Sequence, residues 1–352
     1  MRDELLTVPA AFESHESTVT RFREPDCAVL SRPCAGPVHG QNAWHAWSVA
    51  TQVSRRHVVM LLGLSAIWGA SFMFIKIGVR ELAPTTLVCV RLGIGALTLL
   101  PLALVRLGSR ETVRELRAAA GPLVGTGLVN SAIPIVAISW AEKHFDSGLT
   151  AVIQASAPLF TALLALRFSR SERVSGMRLA GLLVGFGGVA LLVGAQPGGD
   201  LLAACAVVFA ALCYAVAALY AARRLVAVSP IVSSFGALAA AALALVPFAA
   251  AQLPSHVPSL GVTAAVLALG IGGTGFAYVL YYALLAGAGA SRSILVTYLV
   301  PALALGYGAV FLGEAVTAPA VGGLVLVLAG VALGTGAVRL ARRRDPRLAS
   351  DG

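Results

Sequence analysis

The chain has 352 residues, of which 58% are hydrophobic and only 12% are charged, and its mean hydropathy is +0.85. Soluble domains carry about 25% charged residues, so this composition excludes a soluble globular protein and predicts a chain that lies mostly in lipid. The formal net charge of +10 does not indicate nucleic-acid binding, because the arginines fall between apolar segments, where membrane topology explains them.

Residues 1–54 are polar, mixed in charge and without hydrophobic period, and they contain no apolar core of the signal-peptide type. This composition predicts a disordered cytoplasmic tail. The alternative is that the start codon is misassigned. Cys27 and Cys34, followed by His39 and His45, lie in this tail at a spacing that matches no standard zinc site. The sequence therefore predicts no metal and no cofactor.

Ten apolar segments follow the tail. They are 58–79, 84–105, 118–141, 147–168, 179–195, 201–222, 230–251, 262–286, 293–312 and 318–338. Each is long enough to cross a bilayer as a helix, and only helices or closed barrels satisfy the backbone hydrogen bonds of a spanning chain. The fold class predicted is an all-α membrane protein with ten transmembrane helices.

The segments fall into two copies of one pattern. Pro158 and Glu172 return 143 and 142 residues later as Pro301 and Glu314, and the pairs Pro84/Pro230 and Pro101/Pro247 are both 146 residues apart. A repeat of this length indicates two copies of one structural unit. We therefore expect a first unit of five helices over residues 57–195, a second over residues 201–338, and a basic cytoplasmic tail over residues 339–352.

The basic residues predict the orientation of the chain. Arginines cluster in alternate loops and in the C-terminal tail, while the other loops hold only Lys76, Arg80 and Lys143. Because positive loops stay in the cytoplasm, both termini are expected there, in a bacterial cytoplasmic membrane. With five helices per unit, the second unit would be inverted relative to the first. Inverted repeats are typical of secondary transporters that work by alternating access.

Two charges lie inside the first two segments. A charge in lipid is costly and should face the interior of the bundle, so Lys76 and Arg91 are candidates for attracting a substrate. The alternatives are that Lys76 extends to the interface and that Arg91 forms a structural ion pair. The matching positions of the second unit are Ala222 and Ala237, and no carboxylate lies in the middle of a segment. These features favour an anionic or zwitterionic substrate.

Polar and aromatic side chains within the segments complete the candidate substrate pathway. The predicted pathway residues are Trp68, Lys76, Arg91, Asn130, Gln154, Tyr214, Tyr282 and Tyr298. Intramembrane polar groups are functional candidates by default, although Trp and Tyr near helix ends also form interfacial belts, which would suit Tyr282. The sequence Gly270–Gly275 fits the dinucleotide pattern G-x-G-x-x-G, but it lies inside an apolar segment. We interpret it as a helix break that faces a cavity.

Several short motifs resemble one family. The run Trp68-Gly69-Ala70-Ser71-Phe72, followed by Lys76, Pro84 and Arg91, resembles the opening of an EamA-type unit, and Ala157-Pro158 and Leu312-Gly313-Glu314 resemble its end. The resemblance covers about residues 57–338 and implies the drug/metabolite transporter superfamily. That family is expected to have two inverted five-helix units around a central cavity and to export amino acids, other metabolites or toxic compounds without ATP. Tyr214 in place of Trp68, and Phe168–Glu172 in place of Leu-Gly-Glu, depart from the pattern.

The function predicted is a secondary active transporter that exports small polar metabolites, such as amino acids, by alternating access. Its expected partners are a small-molecule substrate, the lipid bilayer and a coupling proton, with no nucleic acid. No nucleophile with a matching base can be assembled, so we predict that the protein is not an enzyme. The alternatives are an importer of small metabolites and a membrane scaffold or signalling protein, whose active part would be residues 1–54.

Overall fold

The computed structural model describes residues 55–168, 176–194 and 201–335, and within these ranges all regular structure is helical. The predicted tails and Glu172 lie outside the described residues. In chain order the main helices are α1 Arg55–Gly78, α2 Pro84–Leu107, α3 Ser109–Ala118, α4 Ala120–Ala141, α5 Ser147–Gln154, α6 Ala157–Phe168, α7 Gly176–Gly194, α8 Leu201–Arg224, α9 Pro230–Ala250, α10 Leu260–Ala288, α11 Leu295–Leu312 and α12 Ala318–Gly334. A short helix, Ala290–Ser293, lies between α10 and α11.

Length and composition suit most of these helices to a membrane. In the described ranges, nine helical spans of at least 18 residues are long and apolar enough to cross a membrane, if α5 and α6 are counted as one span. Helix α12 is apolar but shorter, with 17 residues. Large apolar side chains such as Leu97, Val105 and Val310 are more than 60% exposed, which suits a surface in contact with lipid. An all-helical, multi-pass membrane fold is thus confirmed. The count of ten spanning helices and the inversion of the second unit stay predictions.

Helices of one unit pack mainly against helices of the other. Helix α2 packs along α9, α7 along α12, and α1 along α11, while α8 packs against α4, α5 and α6. The contact between α7 and α12 depends on glycine, because a Cβ atom added to Gly330 would lie 2.3 Å from the Cα atom of Gly185. Small residues at four-residue spacing therefore serve close helix packing here.

A proline separates α5 from α6, and π-helical turns interrupt three other helices. Residues 155 and 156 separate α5 from α6, because Pro158 cannot donate to the carbonyl of Gln154, four residues earlier. Helix α4 is π-helical over Leu128–Ala132, α10 over Ala268–Phe276, and α11 over Gly308–Leu312. Such π turns widen a helix locally and are frequent at functional sites. The glycine run Gly270–Gly275 falls within the turn in α10, which is a π-helical stretch rather than an unwound segment.

Candidate functional site

A cavity of ≈ 910 Å³ lies between the helices. Its walls come from helices of both units, including the π-helical turns of α4 and α10. Five of the eight predicted pathway residues line it, and they are Trp68, Arg91, Asn130, Gln154 and Tyr214. Cavities of several hundred cubic ångströms with a few polar groups are typical of sites for small molecules.

Arg91, a residue of α2, is a charged group that lines the cavity. Its side chain is only 8% exposed, and its Nε donates a hydrogen bond to Oγ1 of Thr274 at 3.1 Å. Thr274 in turn donates to the carbonyl oxygen of Leu269 at 2.9 Å. Among the described residues the recorded ion pair is Arg114 with Glu111, so no described carboxylate pairs with Arg91. The guanidinium therefore retains donors that can bind an anionic group.

The π turns of α4 and α10 supply matching polar residues. Ser131 in α4 and Thr274 in α10, 143 residues apart, both line the cavity and are both almost completely buried. Beside Ser131, the side chain of Asn130 interacts with Tyr278 of α10. Glycine at position 95 allows α2 and α10 to approach closely, because a Cβ atom there would lie 2.5 Å from Cγ2 of Thr274. Glycine thus lets α2 bring Arg91 to its hydroxyl partner.

Aromatic rings form much of the remaining wall. Trp68 lies against Tyr281 with ring centroids 5.7 Å apart, and Tyr214 and Tyr278 line the cavity and interact electrostatically with Arg91. Gln154 lies at the break between α5 and α6, and its buried Oε1 has no hydrogen-bond partner among the described residues. This side of the cavity can therefore both stack an apolar or aromatic group and bind a polar one.

Three predicted pathway residues do not line this cavity. The ammonium of Lys76 donates to the backbone carbonyls of Glu142 and Phe145, each at 2.6 Å. The hydroxyl of Tyr282 forms a hydrogen bond with that of Ser234. Tyr298 packs against the core that contains Leu149 and Val152, with its buried hydroxyl unpartnered among the described residues. Lys76 thus does not line the cavity, because it binds backbone carbonyls of the loop that follows α4.

Beside the cavity, Lys76 binds the loop 142–146, and Glu314 binds the start of α5, directly after it. Lys76 satisfies carbonyls at the C-terminal end of α4, and the carboxylate of Glu314 accepts hydrogen bonds from the backbone N–H and hydroxyl of Ser147 and from the N–H of Gly148, at 2.8 to 3.1 Å. A cation thus lies at a helix C-terminus and an anion at an N-terminus, as the helix dipoles favour. Lys76, Glu314 and the loop they bind are called the clasp below.

The clasp contains a buried carboxyl group. The side chain of Glu142 is fully buried, and neither of its oxygens has a hydrogen-bond partner among the described residues. Burial raises the pKa of Glu142 well above its usual range, although Lys76 and Arg91 act in the opposite direction. Burial also raises the pKa of the neighbouring Asp146. A carboxyl group in such an environment favours its neutral form.

Sequence reasoning missed part of this site. Thr274 falls inside the glycine run that had been interpreted as a break, but a threonine in an apolar segment gives no signal of its own. Ser131 and Thr161 also line the cavity, as does Arg178 at the start of α7. Only the offset of 143 residues, which relates Thr274 to Ser131, could have singled out the threonine beforehand.

Comparison with known proteins identifies the family. The model of the EamA-like transporter family matches the chain twice, over residues 55–194 and 201–335. An uncharacterized transporter of Archaeoglobus fulgidus is 27% identical over 79% of this chain and 97% of its own, and the transporter YoaV of Bacillus subtilis is 24% identical over 78% of this chain and 95% of its own. The inner membrane transporter YedA of Escherichia coli is 32% identical over 40% of this chain and 44% of its own.

A crystal structure of a protein 23% identical to this chain superposes with a TM-score of 0.58, and the match covers 86% of this chain and 99% of the other. This likeness shows a shared fold. The two family matches together cover well over half of the chain, and they include the cavity residues on α1, α2, α4, α8 and α10. The chain therefore belongs to the EamA-like transporter family, and it is a multi-pass membrane transporter for a small-molecule substrate.

Proposed function

We propose that this protein is a secondary active transporter of the bacterial cytoplasmic membrane that exports small polar metabolites bearing a carboxylate, such as amino acids, by alternating access. One observation carries the proposal: Arg91 is a buried cation on the cavity wall, and its hydrogen-bond partner is a neutral hydroxyl rather than a described carboxylate. A buried charge without a counter-ion is costly, so an anionic ligand would stabilise it.

The rest of the cavity supports a small zwitterionic or amphipathic ligand. Aromatic rings at Trp68 and Tyr281 offer a surface for an apolar side chain. Gln154, which also lines the cavity, has an acceptor oxygen with no partner among the described residues, which suits an ammonium or hydroxyl group. The volume of ≈ 910 Å³ is ample for an amino acid and leaves room for water.

Transport into proteoliposomes tests this function. A panel of ¹⁴C-labelled amino acids and monocarboxylic acids is offered to vesicles that contain the wild type, Arg91→Ala or the control Arg106→Ala, whose arginine lies at the exposed end of the same helix. A hydrogen bond to a charged group contributes about 1.5–3 kcal/mol, so we expect Arg91→Ala to lower kcat/KM by roughly 10- to 150-fold. The control should transport like the wild type. Equal transport by all three proteins would contradict the assignment of Arg91.

Direction is tested in cells. A bacterium that overproduces an exporter should release the transported compound into the medium faster and hold less of it inside, and Arg91→Ala should abolish both effects. Faster uptake from the medium by the same cells would support the importer instead. Absence of transport in either direction across the panel would favour the scaffold, and deletion of residues 1–54 would then be the informative change.

A further inference from the structure

The carboxyl group of Glu142 is buried in a place that offers it no hydrogen-bond donor among the described residues. Its backbone N–H continues the hydrogen bonding of α4, donating to the carbonyl of Ile138 at 2.9 Å, while its side chain points into the protein and is fully buried. Both oxygens lack a hydrogen-bond partner among the described residues. An ionised carboxylate that is buried without hydrogen bonds is strongly destabilised, whereas the neutral acid costs far less.

Charged groups on three other elements face this carboxyl. Lys76 on α1 and Arg91 on α2 favour its ionised form, and Glu314 after α11 opposes it. Each of these groups has hydrogen-bond partners other than Glu142: Lys76 donates to backbone carbonyls, Nε of Arg91 donates to Thr274, and Glu314 accepts from the N-terminus of α5. On its own loop, Lys143, His144 and Asp146 are exposed at the surface. Glu142 is therefore the member of this cluster whose charge has no hydrogen-bonded partner in the described structure.

The cavity wall reaches this cluster. Ile138, one helical turn before Glu142, and Ile75, next to Lys76, both line the cavity. Arg91 and Glu142 interact electrostatically in both directions, so the charge of one group alters the energy of the other. Binding of an anionic group at Arg91 therefore changes the free energy of ionising Glu142.

We propose that Glu142 is a proton-binding site coupled to the cavity, and that its proton and the anionic group of the substrate at Arg91 bind together. This inference rests on the proposed function. When Glu142 is ionised, its negative charge offsets the charges of Lys76 and Arg91 and weakens the attraction for an anion. When the carboxylate takes up a proton from water, that attraction is restored. One proton and one anionic group bind, no electrons move, and the net charge of the site is unchanged.

Linkage makes this coupling reciprocal. If protonation of Glu142 strengthens binding of the anionic group, the bound anionic group strengthens protonation of Glu142 by the same factor. The proton and the substrate then cross the membrane in the same direction, so in the proposed exporter the outward gradient of the metabolite drives transport and a proton leaves the cell with it. A carboxylate shared by a proton and a cationic substrate would instead make them exchange. Couplings of this kind between sites are typically about 5- to 150-fold in affinity.

The first test uses the proton itself as the ligand and needs no substrate. Infrared difference spectra of the purified full-length protein are recorded between acid and alkaline pH for wild type, Glu142→Gln and the control Glu115→Gln. We expect a protonated-carboxyl band that titrates in wild type and Glu115→Gln and is missing in Glu142→Gln. In Glu142→Asp the band should persist at a shifted pH midpoint, which covers the case that the glutamine variant does not fold. A band that is unchanged in both Glu142 variants would overturn the proposal.

The second test measures coupling in proteoliposomes with the ¹⁴C-labelled amino acids as probes. Because a coupled transporter runs in either direction, an imposed inward proton gradient should reverse export, and wild type should accumulate a transported probe when the outside is made acid. Substrate affinity should fall as pH rises. Glu142→Gln should still exchange internal for external probe but should lose accumulation driven by the pH gradient. Equal accumulation by both proteins would overturn the proposal. If wild type transports no probe, the proposed function fails, and the infrared titration alone decides whether Glu142 binds a proton.

Discussion

The second helices of the two units, α2 and α9, occupy matching places but carry different chemistry. They pack along each other, yet Arg91 on α2 is matched by Ala237 on α9, 146 residues later. Next to Ala237 the backbones are in close contact, because a Cβ atom on Gly127 of α4 would lie 2.3 Å from its carbonyl oxygen. Arg91 instead meets Thr274 of α10. The two units thus share close helix packing, and the charge lies only where a hydroxyl acceptor is present.

The largest expected effect comes from introducing an arginine at position 237, which matches Arg91 in the second unit. Ala237→Arg puts a guanidinium at a site that is 6% exposed, where the carbonyl of Ala237 is already in contact with α4. Overpacking and an unpaired buried charge together cost several kcal/mol, on the order of the 3–5 kcal/mol measured for broken buried ion pairs. We expect the variant to aggregate in size-exclusion chromatography, while Ala237→Ser elutes as a single species. A monodisperse arginine variant would contradict the difference in packing between the units.

A methyl group at the same contact should have a smaller effect. Gly127→Ala would force α4 and α9 apart, whereas Gly121→Ala on the same helix meets no atom within 4 Å. Overpacking costs about 1–3 kcal/mol, and Gly→Ala at an open helical site stabilises by up to about 1 kcal/mol. Thermal unfolding in detergent should therefore show a lower melting temperature for Gly127→Ala and an equal or higher one for Gly121→Ala. A rise in both would mean that α9 shifts easily.

The hydroxyl partner of Arg91 lies in the π turn of α10 and not in that of α4. Thr274→Val keeps the volume of the side chain but removes the acceptor of Arg91, whereas Ser131→Ala removes the matching hydroxyl of α4, which lies in the unit that contains Arg91. Losing a hydrogen bond to a charged group costs about 1.5–3 kcal/mol. We expect Thr274→Val to misplace the guanidinium and lower kcat/KM for transported carboxylates by more than Ser131→Ala does. Equal losses would show that the two π turns act alike.

The helices could be predicted well because their ends carry local signals. The starts of α2 and α9 coincide with Pro84 and Pro230, which suit the first turn of a helix. The amphipathic helix α3, Ser109–Ala118, was not predicted as a separate element, since it is short and polar and depends on packing of Leu116 against Leu123 and Leu225. Its existence is decided by tertiary contacts rather than by hydropathy.

The site was predictable only in part for the same reason. Arg91 stood out because a charge inside an apolar segment is costly wherever the helix lies. Glu142 did not, because it follows the last residue of α4, a position that is usually exposed to solvent, and its burial depends on how α1 and the end of α11 fold over the loop. Lys76 was expected near the substrate for its charge alone, and only the fold shows that backbone carbonyls bind it.

The buried carboxyl of the first unit should make stability depend on pH. Because the folded-state pKa of Glu142 is raised, the folded protein binds more protons than the unfolded chain above about pH 4.5, so its contribution to stability is lost as pH rises through the folded pKa. One proton contributes a slope of at most about 1.4 kcal/mol per pH unit. Melting temperature should fall with rising pH more steeply for wild type than for Glu142→Gln. Parallel curves would mean that Glu142 is ionised in the folded state.

The smallest effect is expected where the first unit binds the second at the surface. Glu81, between α1 and α2, accepts hydrogen bonds from the N–H and hydroxyl of Ser259 at 2.7 and 2.6 Å, and Ser259 caps the N-terminus of α10. These bonds lower the pKa of Glu81, with the side-chain bond contributing most. Its stabilisation is therefore present above about pH 4.5 and is lost as pH falls through the folded pKa, opposite in sign to Glu142. Melting temperatures of Glu81→Gln and wild type should converge at acid pH and differ slightly at neutral pH, since the site is exposed and a glutamine still accepts a hydrogen bond. A difference that grows on acidification would contradict this role and would leave Glu142 as the only one of the two glutamates whose ionisation affects folding.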